Sequence, residues 1–115
     1  MDFTGTAAAS FSASHVVQNH PRCGRMHGHR WRVEVEITAG QDPATGELLG
    51  LPELADAVEQ LASELDREHI NDMLPGTAAT PAGVALGFRE RLAMHFVGVL
   101  SVTVWADDVS TTLHA

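Results

Sequence analysis

The sequence predicts an α+β fold, a four-stranded antiparallel sheet covered on one face by two helices. Three observations predict it. Residues 29–39 alternate between apolar and charged side chains, the period of a half-buried strand. Two segments read as helices, one with apolar residues at helical spacing from Leu54 to Leu65 and one opening at the cap-like pair Thr80-Pro81. Two short β-compatible runs close the chain, separated by Asp107-Asp108. The resulting order, ββααββ, places strands in antiparallel neighbours and leaves both helices to one face.

Each element has its own warrant. From Phe3 to Val17 small and β-compatible residues alternate loosely, with Phe11, Ala13 and His15 on one face. Gln18 to Arg25 contains Asn, Pro and Gly and reads as a connection. His29 to Ala39 is the best strand, with Trp31, Val33, Val35 and Ile37 opposed to Arg30, Arg32, Glu34 and Glu36. Gly40 to Gly50 is turn-rich. Leu51 to Ile70 reads as a helix, with Pro52 in its first turn and Leu54, Val58, Leu61 and Leu65 along one stripe. Asn71 to Ala79 reads as a loop. Thr80 caps a second helix, with Pro81 at its first position, that runs to about Phe96. Val99–Val104 and Val109–Leu113 are the last two strands, joined by a tight turn at Asp107-Asp108. With no repeat, linker or low-complexity tract, residues 1–115 read as a single domain. Such a sheet has open edges, and oligomerisation is one way to cover them.

Composition narrows the function. The formal net charge of -8 disfavours nucleic acid and anionic membranes as partners, and the absence of Tyr argues against a base-stacking platform. The expected partner is a small molecule. Arg22, Arg25, Arg30 and Arg32 nevertheless place four of the seven basic residues around one motif, either to offset that acidity beside an anionic substrate or merely to flank a strand. A single cysteine, no apolar run of bilayer length and no recognisable signal peptide together predict a cytoplasmic protein.

That motif is Cys23-Gly24-Arg25-Met26-His27-Gly28-His29. Imidazoles at i and i+2 face the same way on an extended backbone, so His27 and His29 can address one ion. His29 shares the parity of Trp31 and Val33 and therefore points toward the apolar side, where an imidazole needs a partner. His15 supplies a third nitrogen from a paired strand. Three protein ligands leave a fourth position open, the arrangement of a catalytic zinc site. Cys23 then reads as a nearby reactive thiol, or alternatively as a fourth ligand that closes the site. Trp31 and Trp105 read as core or interface residues, and His20, His95 and His114 have no partner at ligand spacing.

Phe11-Ser12-Ala13-Ser14-His15, together with the Cys23–His29 motif and the strand after it, resembles the 6-pyruvoyl-tetrahydropterin synthase and 6-carboxy-tetrahydropterin synthase family along nearly the full chain. The resemblance implies the tunnelling fold, zinc on His15, His27 and His29, a catalytic Cys23, and a homo-oligomer, often a hexamer of two trimers with active sites between subunits. It also implies a lyase acting on 7,8-dihydroneopterin triphosphate. Leu65-Asp66-Arg67-Glu68-His69-Ile70-Asn71-Asp72 resembles the family's Leu-Asp-His-x-x-Leu-Asn segment, with Asp66 and Asn71 matching. Arg67, however, stands where the family has its catalytic histidine, as a lost catalyst, a new anion contact or a structural replacement. His69 lies three residues after Asp66, so on a continuing helix the two share a face as a proton relay; otherwise His69 is a surface residue near a helix C-terminus. The family's Pro-Thr-x-Glu-Asn becomes Ala79-Thr80-Pro81-Ala82-Gly83, and Gly50-Leu51 replaces its Asp-Phe. The pterin-anchoring glutamate falls at Ala106. Asp107 is then either a turn residue or a substitute anchor for a guanidine-like ring edge. Three functions follow: a zinc lyase of the pterin and 7-deazapurine type, the same scaffold doing carbon–carbon or cyclisation chemistry on another small molecule, or a non-catalytic zinc module.

Overall fold

Strict apolar alternation in the second strand organises the whole molecule. The computed structural model describes residues 2–17, 26–74 and 76–114. Strands β1 (Phe3–His15) and β2 (His27–Ala39) form a long antiparallel hairpin, β3 (Val99–Ala106) pairs with β2, and β4 (Val109–His114) pairs with β3, giving the order β1-β2-β3-β4. The register sets Phe11 opposite Trp31 and His15 opposite His27 across β1 and β2. Across β2 and β3 it sets Trp31 opposite Ala106 and Val33 opposite Val104. The predicted strands are all present, and β2 begins two residues earlier than expected, at His27.

Helices α1 (Leu51–Leu65) and α3 (Pro81–Ala93) cover the apolar face, joined through a single turn, α2 (Ile70–Met73), where the expected first helix gives way to the expected loop. Trp31, Val33 and Val35 of β2, Leu54 and Val58 of α1 and Val84 of α3 are all fully buried in one hydrophobic core. Phe11 stacks between Trp31 and Phe88, with ring centroids 6.1 and 6.4 Å away. Each such side chain taken out of water stabilises the fold by roughly 1.5–3 kcal/mol. Gly50, at φ 83°, supplies the left-handed turn into α1. At α3, the Thr80 hydroxyl accepts from the Gly83 N–H at 3.1 Å, as its sequence position predicts.

One predicted boundary is wrong in an informative way. The helix expected to reach Ile70 stops at Leu65. Asp66 turns extended (φ -63°, ψ 129°) and Arg67 adopts φ 62°. The chain leaves the helix because the free edge of β1 offers better partners. Arg67 N–H donates to the Ser12 carbonyl at 2.6 Å and Ser14 N–H donates to the Glu68 carbonyl at 3.1 Å, so residues 67–69 run beside β1 as a short parallel bridge. The second helix likewise ends at Ala93, short of Phe96. Among the described residues, no helix is long and apolar enough to cross a membrane.

Candidate functional site

The hairpin register brings the three predicted ligands together. His15 ends β1, His27 starts β2 opposite it, and His29 follows two residues later on the same face. One nitrogen from each lies within 4.8 Å of the others. Trp31 forms the floor: its ring meets His15 edge-on at 5.1 Å, and its Nε1–H donates to the Ala13 carbonyl at 3.2 Å. The cluster thus sits at the rim of the core, with His15 only 3% exposed.

Hydrogen bonds decide which nitrogen each ring offers. His15 Nδ1 lies 2.6 Å from the Ala79 carbonyl, which can only accept, so Nδ1 carries the proton and Nε2 keeps its lone pair. His29 Nδ1 lies 2.5 Å from Asp107 Oδ2, which as a carboxylate oxygen also accepts, so Nδ1–H faces Asp107 and the neutral ring offers Nε2. His15 Nε2 faces His27 Nε2 at 2.8 Å. Nitrogens bound to one tetrahedral zinc at 2.0–2.1 Å stand about 3.3 Å apart, so small ring rotations adapt this trio to an ion. The donor set fits zinc: three imidazoles, two held in the ligating tautomer by partners on the far nitrogen. Burial holds the His15 pKa below its ordinary value, and positive charge on His27, His29 or His69 adds to the effect, outweighing the opposing bond to Ala79. Neutral imidazole at neutral pH is the state that binds a metal.

The remaining candidates are placed as follows. Cys23 lies outside the described residues, as do Arg22, Arg25 and His20. Asp66 and His69 do not share a helix face, the relay alternative, because the helix ends at Leu65. Asp66 Oδ1 instead accepts from Ser12 N–H at 2.9 Å, and His69 Nδ1 pairs with the Ser14 hydroxyl at 2.9 Å. His69 is nonetheless near enough to His15 for its charge to bear on that ring. Asn71 clamps the backbone just past His15, accepting from Val16 N–H at 2.9 Å and donating to the Val16 carbonyl at 3.0 Å. Arg67 reaches an open cavity of about 430 Å³ beside His29, which Ser12, Ser14, Gly28, Arg30 and Asp107 also line.

Asp107 is where the turn matters most. It is both the predicted turn residue and a partner of the histidine site. Its side chain accepts from His29 and, at 3.1 Å, from Arg30 N–H; these two bonds hold its carboxyl below the usual carboxylate range, the His29 bond contributing more. Sequence reasoning missed this contact, and also the Ala79 carbonyl and the Ser14 hydroxyl. Ser14 was discoverable, since it lies on the strand that carries His15, one residue before it. A backbone carbonyl contributed from 64 residues away carries no sequence signal.

Comparison with known proteins identifies the family and the fold. Residues 4–114 match the family described as 6-pyruvoyl tetrahydropterin synthase. A protein of Archaeoglobus fulgidus named "Putative 6-carboxy-5,6,7,8-tetrahydropterin synthase" is 33% identical over 97 residues, covering 84% of this chain and 82% of its own. The 6-pyruvoyl tetrahydropterin synthase of Caenorhabditis elegans superposes with a TM-score of 0.85 at 19% identity, over 100% of this chain and 96% of that one. That of Plasmodium vivax gives 0.76 at 14% identity, over 100% and 98%. The two structures share its fold, the tunnelling fold that the motif had implied. With the family match spanning nearly every residue and a relative one-third identical, the chain belongs to the 6-pyruvoyl tetrahydropterin synthase family.

Proposed function

We propose that this chain is a zinc-dependent lyase that acts on a dihydroneopterin-triphosphate-like small molecule by Cys23-assisted proton transfer. The observation that carries the reading is the convergence of His15, His27 and His29, two of them locked in the ligating tautomer. A zinc ion held there supplies a Lewis acid for a hydroxyl or carbonyl oxygen of the substrate side chain. Cys23 precedes His27 by four residues and is the thiol available to take a proton from an adjacent carbon. Its thiolate forms more readily beside a cation than at its ordinary pKa of about 8.5. His69, anchored on Ser14, is the imidazole available to pass that proton onward, and Asp66 positions the segment by holding Ser12 N–H. Arg67 contributes a fixed positive charge to the cavity beside His29, suited to an anionic substrate group. The open sheet edge at β4, with Val109 67% exposed, suits a homo-oligomer built on trimers.

The test is turnover. Zinc-loaded protein is expected to convert 7,8-dihydroneopterin triphosphate, and Cys23→Ala to abolish conversion while leaving zinc bound. Conversion undiminished in Cys23→Ala would remove the thiol from the mechanism. A second reading, carbon–carbon or cyclisation chemistry on a different small molecule, is favoured by one observation. Ala106 offers no carboxylate where the family anchors its ring, and Asp107 is already engaged by His29 and Arg30. Zinc bound without turnover of the pterin substrate is the outcome that selects it.

A further inference from the structure

Asp107 follows Ala106, the last residue of β3, and strand alternation alone would turn its side chain to the face opposite the metal cluster. It does not point there, because β3 has ended. The backbone at Asp107 takes φ 51°, in the left-handed region that short polar residues tolerate in turns. Its N–H donates to the Arg30 carbonyl at 2.8 Å while Oδ1 accepts from Arg30 N–H, so the turn is pinned reciprocally to β2 beside His29. The second oxygen, Oδ2, is thereby delivered to His29 Nδ1 at 2.5 Å.

We propose that Asp107 is a positioning residue of the metal centre: its carboxylate fixes His29 with the proton on Nδ1 and Nε2 toward the ion, and this engagement withdraws it from ring binding. The inference rests on the metal reading above. An imidazole can ligate through either nitrogen, and an acceptor on one settles the choice and makes the other a better donor. The acceptor on His15 is a neutral carbonyl, whereas the one on His29 is a carboxylate. The same geometry bears on substrate choice. A carboxylate that grips a guanidine-like edge needs both oxygens aligned with two parallel N–H groups. In Asp107 those oxygens are aligned with His29 and Arg30, and a ring could take them only by breaking the pair.

The test measures zinc affinity, by competition with a chromophoric chelator, together with the nitrogen-15 NMR signals of His29 in the metal-free protein. Asp107→Ala is expected to weaken zinc binding by about 10–100-fold, and to release His29 from the Nδ1–H tautomer that the wild type shows. Asp108→Ala, in the same turn, is expected to stay within about twofold of wild type. Asp107→Asn keeps a neutral acceptor and the turn, so an intermediate loss is expected, and it decides the matter if the alanine variant does not fold. Zinc affinity in Asp107→Asn and Asp107→Ala equal to wild type would overturn the proposal. So would a wild-type His29 that carries its proton on Nε2. A wild type that binds no zinc but shows the Nδ1–H tautomer sinks the metal reading and the ligand-positioning role with it, whereas zinc binding unaffected by either Asp107 change sinks only the role of Asp107.

Discussion

Among the described glycines Gly83 is the most tightly enclosed, and replacing it with alanine separates two opposite expectations. By helix propensity alone, Gly83→Ala inside α3 stabilises by up to ~1 kcal/mol. The packing says otherwise. A Cβ at Gly83 would stand 1.7 Å from the Ala78 carbonyl oxygen and 2.6 Å from its carbon. These are backbone atoms, and relief to ordinary contact near 3.4 Å demands a retreat of about 1.7 Å. No side-chain rotation supplies it. Gly83 N–H is also the donor to the Thr80 cap, so a displaced first turn weakens that bond too. Overpacking of ~1–3 kcal/mol and a damaged cap of ~1 kcal/mol outweigh the propensity gain, for a net loss of roughly 1–3 kcal/mol. At about 4 °C per kcal/mol for a chain of this size, the melting temperature falls by roughly 4–12 °C. Thermal unfolding of the metal-free variant, followed by circular dichroism, reads this directly. Ala79, between the clash and the cap, carries the carbonyl that orients His15, so zinc affinity is expected to fall as well. A variant as stable as wild type, or more so, would refute the packing argument.

Other predictions follow from the same geometry. Phe88→Ala empties the space beside the Phe11–Trp31 stack and is expected to cost ~3–5 kcal/mol, whereas Phe3→Ala, at a site 46% exposed, costs far less; similar urea midpoints for the two would contradict the placement of the core. The metal-free protein is expected to lose stability as pH falls below about 6.5, because the unfolded chain binds a proton that buried His15 resists in the folded state. The sign follows from the lowered folded pKa: the penalty is absent above the unfolded value and grows down to the folded one. Urea midpoints at pH 7.5 and 5.5 check this, and a drop just as large in His15→Gln would assign the effect elsewhere. Zinc affinity is expected to fall over the same acidic range, since ligating imidazoles must shed their protons, and pH-independent binding between 7.5 and 5.5 would count against an imidazole site.

How much of this was legible in the sequence depended on range. The sheet and its buried face were readable because Trp31, Val33, Val35 and Ile37 alternate with charge, and alternation is a local signal. The ligand trio was readable for the same reason: i and i+2 on one strand fix a shared face, and a hairpin sets His15 beside His27. The stretch from Asp66 to Ile70 was not. Its local preference is helical, but the unpaired edge of β1 captures residues 67–69, and that competition is visible only once the edge exists. The Asp66–His69 pair dissolved with the helix. Asp107 was readable as a turn residue, but where that turn aims its carboxylate was not, and the Ala79 carbonyl is backbone and carries no residue-type signal at all.

The central claim is that His15, His27 and His29 hold one zinc ion with an open coordination position. Metal analysis of protein purified without chelator, beside a His27→Ala variant, tests it most directly. The account predicts about one zinc per chain in the wild type and a large loss in the variant. Wild-type protein without stoichiometric zinc, or a variant that retains it fully, would contradict it.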